Sequence, residues 1–161
     1  VKPTQLFNLG SSDFTIELWL YPTSFAAVTY PMYSTTAGAK SDQFAFEVGT
    51  NGVITVYLTA SGGGAWSIVG AGNVGTLTLN QWNHVALVRN GSAFRGYVNG
   101  IQGSMTTTST SAVAAFDGLN IGFNGVSNYF TGYMDDIRIS RIARYTTTFT
   151  PPTAAFPDLG A

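Results

Sequence analysis

Apolar residues recur at every second position over much of this chain, the period of half-buried β-strands. The clearest stretch is Phe14-Thr15-Ile16-Glu17-Leu18-Trp19-Leu20-Tyr21: Phe14, Ile16, Leu18 and Leu20 fall on one face, Thr15, Glu17, Trp19 and Tyr21 on the other. Pro22 follows, and because it has no N–H for the ladder it closes that strand. Residues 43–48 and 53–58 predict a hairpin turning through Gly49-Thr50-Asn51-Gly52. Weaker strand signals cover residues 28–34, interrupted by Pro31, and residues 65–69, after three successive glycines. Trp82-Asn83-His84-Val85-Ala86-Leu87-Val88-Arg89 and Phe94-Arg95-Gly96-Tyr97-Val98 are separated by Asn90-Gly91, and Asn99-Gly100 follows. Asn-Gly is the strongest short-range hairpin signal, since both residues tolerate positive φ. The last strands are predicted over 118–123 and 129–140, with Gly132 as a bend or bulge. The Thr/Ser tract at 106–111 predicts a solvated connector.

About nine short strands at this spacing predict an all-β, two-sheet antiparallel sandwich. A length of 161 residues suits one domain. Composition agrees: aromatics reach 14%, while charged residues make up only 9%, against about 25% in ordinary soluble domains. Gly, Ser, Thr and Asn fill the difference, which favours strands and turns over helices. Seven scattered Lys and Arg and a net charge of -1 give no footprint for nucleic acid and no steering toward an anionic membrane. No apolar run approaches the length needed to cross a bilayer. Cysteine is absent, so disulfides and thiolate metal sites are excluded. Residues 146–161, with Pro151-Pro152 and Pro157, predict an irregular tail that packs on the sandwich of residues 1–145 or leads to a neighbouring domain.

Four blocks, in order, resemble the laminin-G-like pattern of the concanavalin A-like lectin/glucanase superfamily. They are Phe14-Thr15-Ile16-Glu17-Leu18-Trp19, then residues 82–89, then Tyr97-Val98-Asn99-Gly100, then Phe130-Thr131-Gly132-Tyr133-Met134-Asp135-Asp136-Ile137-Arg138-Ile139-Ser140. The closing Arg144-Tyr145-Thr146-Thr147-Thr148-Phe149-Thr150-Pro151-Pro152 looks like the version common in phage virion and bacterial surface proteins. The resemblance implies a jelly-roll of two curved sheets, often with a glycan or protein site on the rim or concave face. Only Val1-Lys2-Pro3 remains of the strand that usually precedes the first block, so the chain reads as a piece of a longer polypeptide.

The glucanases of this superfamily carry two Glu flanking an Asp on one strand, a pairing that supplies nucleophile and acid for retaining hydrolysis. Here the only glutamates, Glu17 and Glu47, fall in separate predicted strands. Asp135 and Asp136 are adjacent, so a regular strand would point them to opposite faces. His84 has no Gly-x-Ser-x-Gly elbow to serve and reads as a framework position. A non-catalytic module is expected.

The resemblance also implies a Ca²⁺ at the sandwich rim, with Asp135 as the leading ligand. Asn124-Gly125-Val126-Ser127-Asn128 would add amide oxygens, although that loop carries no carboxylate. The alternative is that Asp135 caps a turn. The family's first and last core strands are neighbours, and parity then puts Glu17 and Arg138 on one face as a structural ion pair. For ligand, aromatics outside the alternating core positions are the candidates: Trp66, Tyr30 and Tyr33, and Tyr129 beside Asn124 and Asn128. Sugars offer C–H faces that pack on rings and hydroxyls that need polar partners.

The expected function is a carbohydrate-binding or adhesion module of a larger virion or cell-surface protein. Its partner is then a glycan or surface polysaccharide, alongside other domains or subunits of the assembly. The alternative is a purely structural virion module, a homo-oligomer among its forms, with protein contacts only. The hairpin over 82–100 reads as framework, which places recognition in the loops around Trp66, 124–129 and Asp135.

Overall fold

A computed structural model of the chain describes residues 8–35, 43–116 and 118–156. Ten strands occur among them: β1 (Phe14–Pro22), β2 (Thr29–Thr35), β3 (Phe44–Val48), β4 (Val53–Leu58), β5 (Val69–Thr76), β6 (Asn83–Asn90), β7 (Ala93–Val98), β8 (Ile101–Gln102), β9 (Gly118–Ile121) and β10 (Gly132–Ser140). They form two five-stranded antiparallel sheets, ordered β10-β1-β6-β7-β8 and β5-β4-β3-β2-β9. The sheets stack on a dry core. Phe14, Ile16, Leu18, Leu20, Val85 and Leu87 from one meet Phe44, Phe46, Val48, Ile54, Val56 and Leu58 from the other, each at most 1% exposed. This is the two-sheet sandwich that the alternation predicts and the jelly-roll that the family resemblance implies. The remnant at Val1-Lys2-Pro3 and the tail beyond Phe156, with Pro157, lie outside the described residues.

The central hairpin forms through Gly91-Ser92, because Asn90 pairs with Ala93. Asn99-Gly100 makes the next turn with φ of 50° and 78°, the two-positive pattern that Asn-Gly favours.

Two expectations are corrected. The strand sought at 65–69 instead begins at Val69 and runs to Thr76. Its Val-Gly-Ala-Gly-Asn-Val-Gly-Thr sequence shows no apolar period, and small residues serve close approach to the opposite sheet. A Cβ on Gly96 of β7 would lie 2.8 Å from Val74 Cα of β5. Second, β2 continues through Pro31, where the β2–β3 register shifts between Thr29 and Met32. The bulge accommodates the missing donor, while the Pro31 carbonyl accepts from Gly122 N at 2.8 Å. The 106–111 tract is exposed or half-buried throughout, as a solvated connector should be, and it is also tied down. It continues the path of β8 along β7, with Phe94 N donating to Thr107 O and Ser109 N to Ser92 O, both at 2.8 Å.

The last strand is also irregular. β10 pairs with β1 at Glu17↔Arg138 and again at Trp19↔Asp135, so Asp136 and Ile137 together oppose one residue. Asp136 takes a left-handed φ of 47° there. The expected opposition of the two aspartates therefore fails; the bulge turns both toward one cleft.

Beyond β10 the chain crosses the outer face of the β1/β6/β7 sheet. Ala143, Tyr145 and Phe149 pack over Ala86, Val88 and Tyr97, and Phe149 N donates to Gly100 O at 3.1 Å. One sheet is thus covered outside as well as inside, whereas the outer face of the β2/β3/β4 sheet carries half-buried side chains.

Gly96→Ala is expected to destabilise the domain by about 1–3 kcal/mol through overpacking. Urea unfolding checks this; an unchanged midpoint would show that the β5–β7 approach has slack.

Candidate functional site

The open face of the second sheet gathers an aromatic cleft of about 280 Å³, lined by Tyr30, Tyr33, Ala45, Glu47, Tyr57 and Trp66. Register builds it. Tyr33 pairs with Ala45, and Ala45 with Tyr57, so one row across β2, β3 and β4 reads large-small-large. Ala45, the small member, forms the floor. Two residues along β3, on the same face, stands Glu47. Its Oε2 accepts from Tyr30 Oη at 2.6 Å and its Oε1 from Tyr57 Oη at 3.2 Å. Burial, and the Glu47 charge after it, push the Tyr57 phenol up, which keeps that proton in place as a donor.

Trp66 arrives from the loop before β5. Its backbone holds a left-handed φ of 60°, fixed by Trp66 N donating to Thr59 Oγ1 at 2.8 Å. The indole then packs 5.1 Å, centroid to centroid, from Tyr57. On the other side Tyr30 meets Tyr33 edge-on at 5.4 Å. Three residues singled out from sequence, Tyr30, Tyr33 and Trp66, therefore share this cleft. Ala45, Glu47 and Tyr57 were missed, although the period of two over 43–48 and 53–58 already places them on the outer face.

The other ligand candidates lie in the loop between β9 and β10. Tyr129 bridges to Tyr30 through the backbone and stacks on Phe123 at 5.5 Å. Asn124 is occupied: its Oδ1 accepts from the N–H groups of Val126, Ser127 and Asn128. Asn128 donates from Nδ2 to Val28 O and accepts at Oδ1 from Ser127 Oγ. Both amides hold the loop together.

Asp135 Oδ1 accepts from Asp136 N at 2.8 Å, and Asp136 Oδ2 from Phe156 N at 3.3 Å. A Ca²⁺ needs six to eight oxygens. With the loop amides turned inward, Asp135 and Asp136 are the side chains here that would offer oxygens to a cation. No group of three His, Cys, Asp or Glu able to hold a metal occurs among the described residues.

On the opposite outer face, under the tail, Glu17 is fully buried. Its Oε1 takes Arg138 Nη2 at 2.8 Å, with Arg144 Nε at 3.6 Å. Its Oε2 meets His84 Nε2 at 3.0 Å and accepts from Tyr145 Oη at 2.8 Å. Arg138 also lies over the Phe156 ring at 3.7 Å. Burial pushes the Glu17 carboxyl up, but hydrogen bonds from His84, Tyr145 and Arg138 outweigh it and leave the group below its usual value. Burial first, and then the hydrogen bond to Glu17 and its charge, raise Tyr145 to about 12. Glu17 and Glu47 therefore lie on opposite outer faces, with the core between them, and cannot act as the paired carboxylates of a retaining glycosidase.

These features define a two-sheet jelly-roll with one face sealed by its own tail and an aromatic cleft on the other. The chain belongs to the concanavalin A-like lectin/glucanases superfamily: the laminin-G-like family model matches residues 1–147. Among solved structures, domain 4 of an extracellular arabinanase from Geobacillus stearothermophilus, in complex with arabinotriose, aligns at 19% identity and a TM-score of 0.61. That alignment covers 86% of this chain and 64% of the arabinanase chain. A proposed carbohydrate-binding protein from Bacteroides ovatus aligns at 23% identity and a TM-score of 0.59, over 84% of this chain and 39% of that one. A heptameric pentraxin from Limulus polyphemus aligns at 19% identity and 0.57, over 86% and 69%. At these identities the likeness is one of fold. The chain thus spans less than two thirds of the first two of these chains. Comparison with curated protein sequences returns no match.

Because folding lowers the Glu17 pKa, its stabilisation is complete above the ordinary carboxyl value of 4.5 and is lost as pH falls through the folded value. Thermal melts across acidic pH should show that loss, flattened in Glu17→Gln. Arg138→Ala should cost about 1.5–3 kcal/mol at neutral pH, the worth of hydrogen bonds to a charged group. A melting temperature equal to the parent's would remove Arg138 from the account.

Proposed function

We propose that this chain is a non-catalytic carbohydrate-binding module of a larger, surface-exposed protein, and that the Tyr30/Tyr33/Glu47/Tyr57/Trp66 cleft is its glycan site. The observation that carries the reading is the row Tyr33–Ala45–Tyr57 with Glu47 at its end. Rings flank a small floor, and a carboxylate with unused lone pairs stands where a sugar hydroxyl needs an acceptor. Trp66 and Tyr57 supply apolar faces for C–H surfaces, and the Tyr30 and Tyr57 oxygens, their protons given to Glu47, keep lone pairs as acceptors at the rim. A volume near 280 Å³ suits one or two sugar units rather than a long chain. The fold neighbours include a domain solved with arabinotriose, which makes arabino-oligosaccharides a sensible first probe. The setting, a virion or a cell surface, is part of the same proposal, supported by the resemblance of the closing motif at 144–152.

A glycan array that includes arabino-oligosaccharides, followed by calorimetry on the hits, tests this. Trp66→Ala should weaken binding by about tenfold or more, equivalent to about 1.4 kcal/mol, without unfolding the domain. Glu47→Gln should also weaken it. Chelation should leave binding unchanged, because Glu47 is the one carboxylate among the described residues lining the cleft. Silence across the array together with a stable oligomer in solution would overturn the reading in favour of a structural module.

A further inference from the structure

A second, larger cleft, about 690 Å³, opens on the opposite outer face, where the tail passes the ends of β1, β6 and β10. Trp19, Trp82, Asn99, Asp135, Asp136 and residues 150–155 line it, and Trp19 pairs with Asp135 across β1 and β10. The chemistry differs from that of the tyrosine cleft. Two indoles and two carboxylates share the lining, and no Lys or Arg occurs among the described residues of the space. Arg138, on the same strand, is committed to Glu17.

Several backbone features converge on this arrangement. The β10 bulge brings Asp135 and Asp136 to the same cleft, which regular alternation would forbid. Asp136, at the bulge, holds a left-handed φ of 47°, a conformation that Asp tolerates better than most residues. Trp82 is left 45% exposed, steadied by an edge contact with Tyr21 at 5.5 Å. The wall contains Pro151-Pro152, so it needs little ordering on binding. Ring faces attract a cation through the π quadrupole, and carboxylates attract it by charge.

We infer that this cleft is a second ligand site, which takes a cationic saccharide: an amino-sugar unit carrying a free ammonium. The ammonium sits between the Asp135 and Asp136 carboxylates, and the sugar's apolar face lies on Trp82 and Trp19. Thr150 and Thr153 offer partners for hydroxyls, while the Asn99 amide is engaged with His84 N and Asn83 Oδ1 and steadies this side of the cleft. The inference does not rest on the tyrosine cleft, and it revises the view of the 82–100 hairpin as framework alone, since Trp82 and Asn99 both belong to it.

The test uses the full chain and three probes, read by calorimetry at mildly acidic pH: a de-N-acetylated glucosamine oligomer, its N-acetylated counterpart and choline. The de-N-acetylated oligomer should bind at least about tenfold more tightly than the neutral one, and tightening should be lost in the double variant Asp135→Asn/Asp136→Asn. Asparagine retains an acceptor for Asp136 N and Phe156 N and tolerates the left-handed position, so the variant keeps the local fold. Glycan binding that depends on Trp66 should persist in it, which separates failure here from failure of the other site. Equal affinity for the two oligomers, binding indifferent to the double variant, or no binding of the cationic oligomer would overturn the inference. Choline binding as tightly as the oligomer would overturn its saccharide part.

Discussion

A carboxylate buried on the outside of a sheet is the constraint around which this sandwich is arranged. Glu17 lies on the face of β1 that points away from the core, yet it is fully buried. Removing an ionised group from water is costly unless charged and hydrogen-bonding partners surround it. Four do so: His84 from β6, Arg138 from β10, and Arg144 and Tyr145 from the tail. Two of the four come from beyond the last strand, so the tail's position and the carboxylate's ionisation depend on one another. Phe149 and Phe156 then close the space, each ring edge-on to His84. The low dielectric that makes Glu17 expensive alone is also what strengthens its bonds once they are satisfied.

This seal divides the molecule by role. The covered sheet cannot offer its central face to a ligand; it offers only the margin where the tail leaves a gap, lined by Trp19, Trp82 and the two aspartates. The other sheet keeps an outer face on which Tyr33, Ala45 and Tyr57 fall in register. Recognition on a jelly-roll is a matter of which outer face is left open. Here the answer follows from where residues 141–156 run, not from the strand order, which many unrelated functions share.

Much of this was legible in the sequence wherever side-chain parity governs. The inward set Phe14, Ile16, Leu18 and Leu20 follows from a period of two, the Asn99-Gly100 turn from tolerance of positive φ, and the meeting of Glu17 with Arg138 from parity together with the strand adjacency that the family resemblance implies. Glu47 and Tyr57 were within reach by the same rule. What parity could not show is where the backbone departs from the pleat. β5 is built from small residues because β7 passes close by, and hydrophobic periodicity has no signal for close approach. Asp135 and Asp136 share a cleft only because β10 bulges. Asn124 looks like a ligand residue by composition and is instead the centre of its own turn. Partners from the tail carry no periodicity, so Arg144 and Tyr145 could not be assigned to Glu17 from spacing.

These departures are also where the candidate chemistry collects. Trp66 and Asp136 hold positive φ, and Tyr30 precedes Pro31 within the β2 irregularity. Regular register sets Tyr33, Ala45, Tyr57 and Glu47 on one face. A bulge or a left-handed residue adds groups that register alone would not bring there, at a cost of about 1–3 kcal/mol each when the residue is neither Gly nor a tolerant Asn or Asp. That cost weighs most on Trp66, whose indole has no such tolerance. Its N–H bond to Thr59 and its packing on Tyr57 hold it there. Local sequence preference alone would relax Trp66 to an extended backbone and move the ring off the cleft. The strain at Trp66 is therefore balanced by contacts that fix its ring at the wall of the tyrosine cleft.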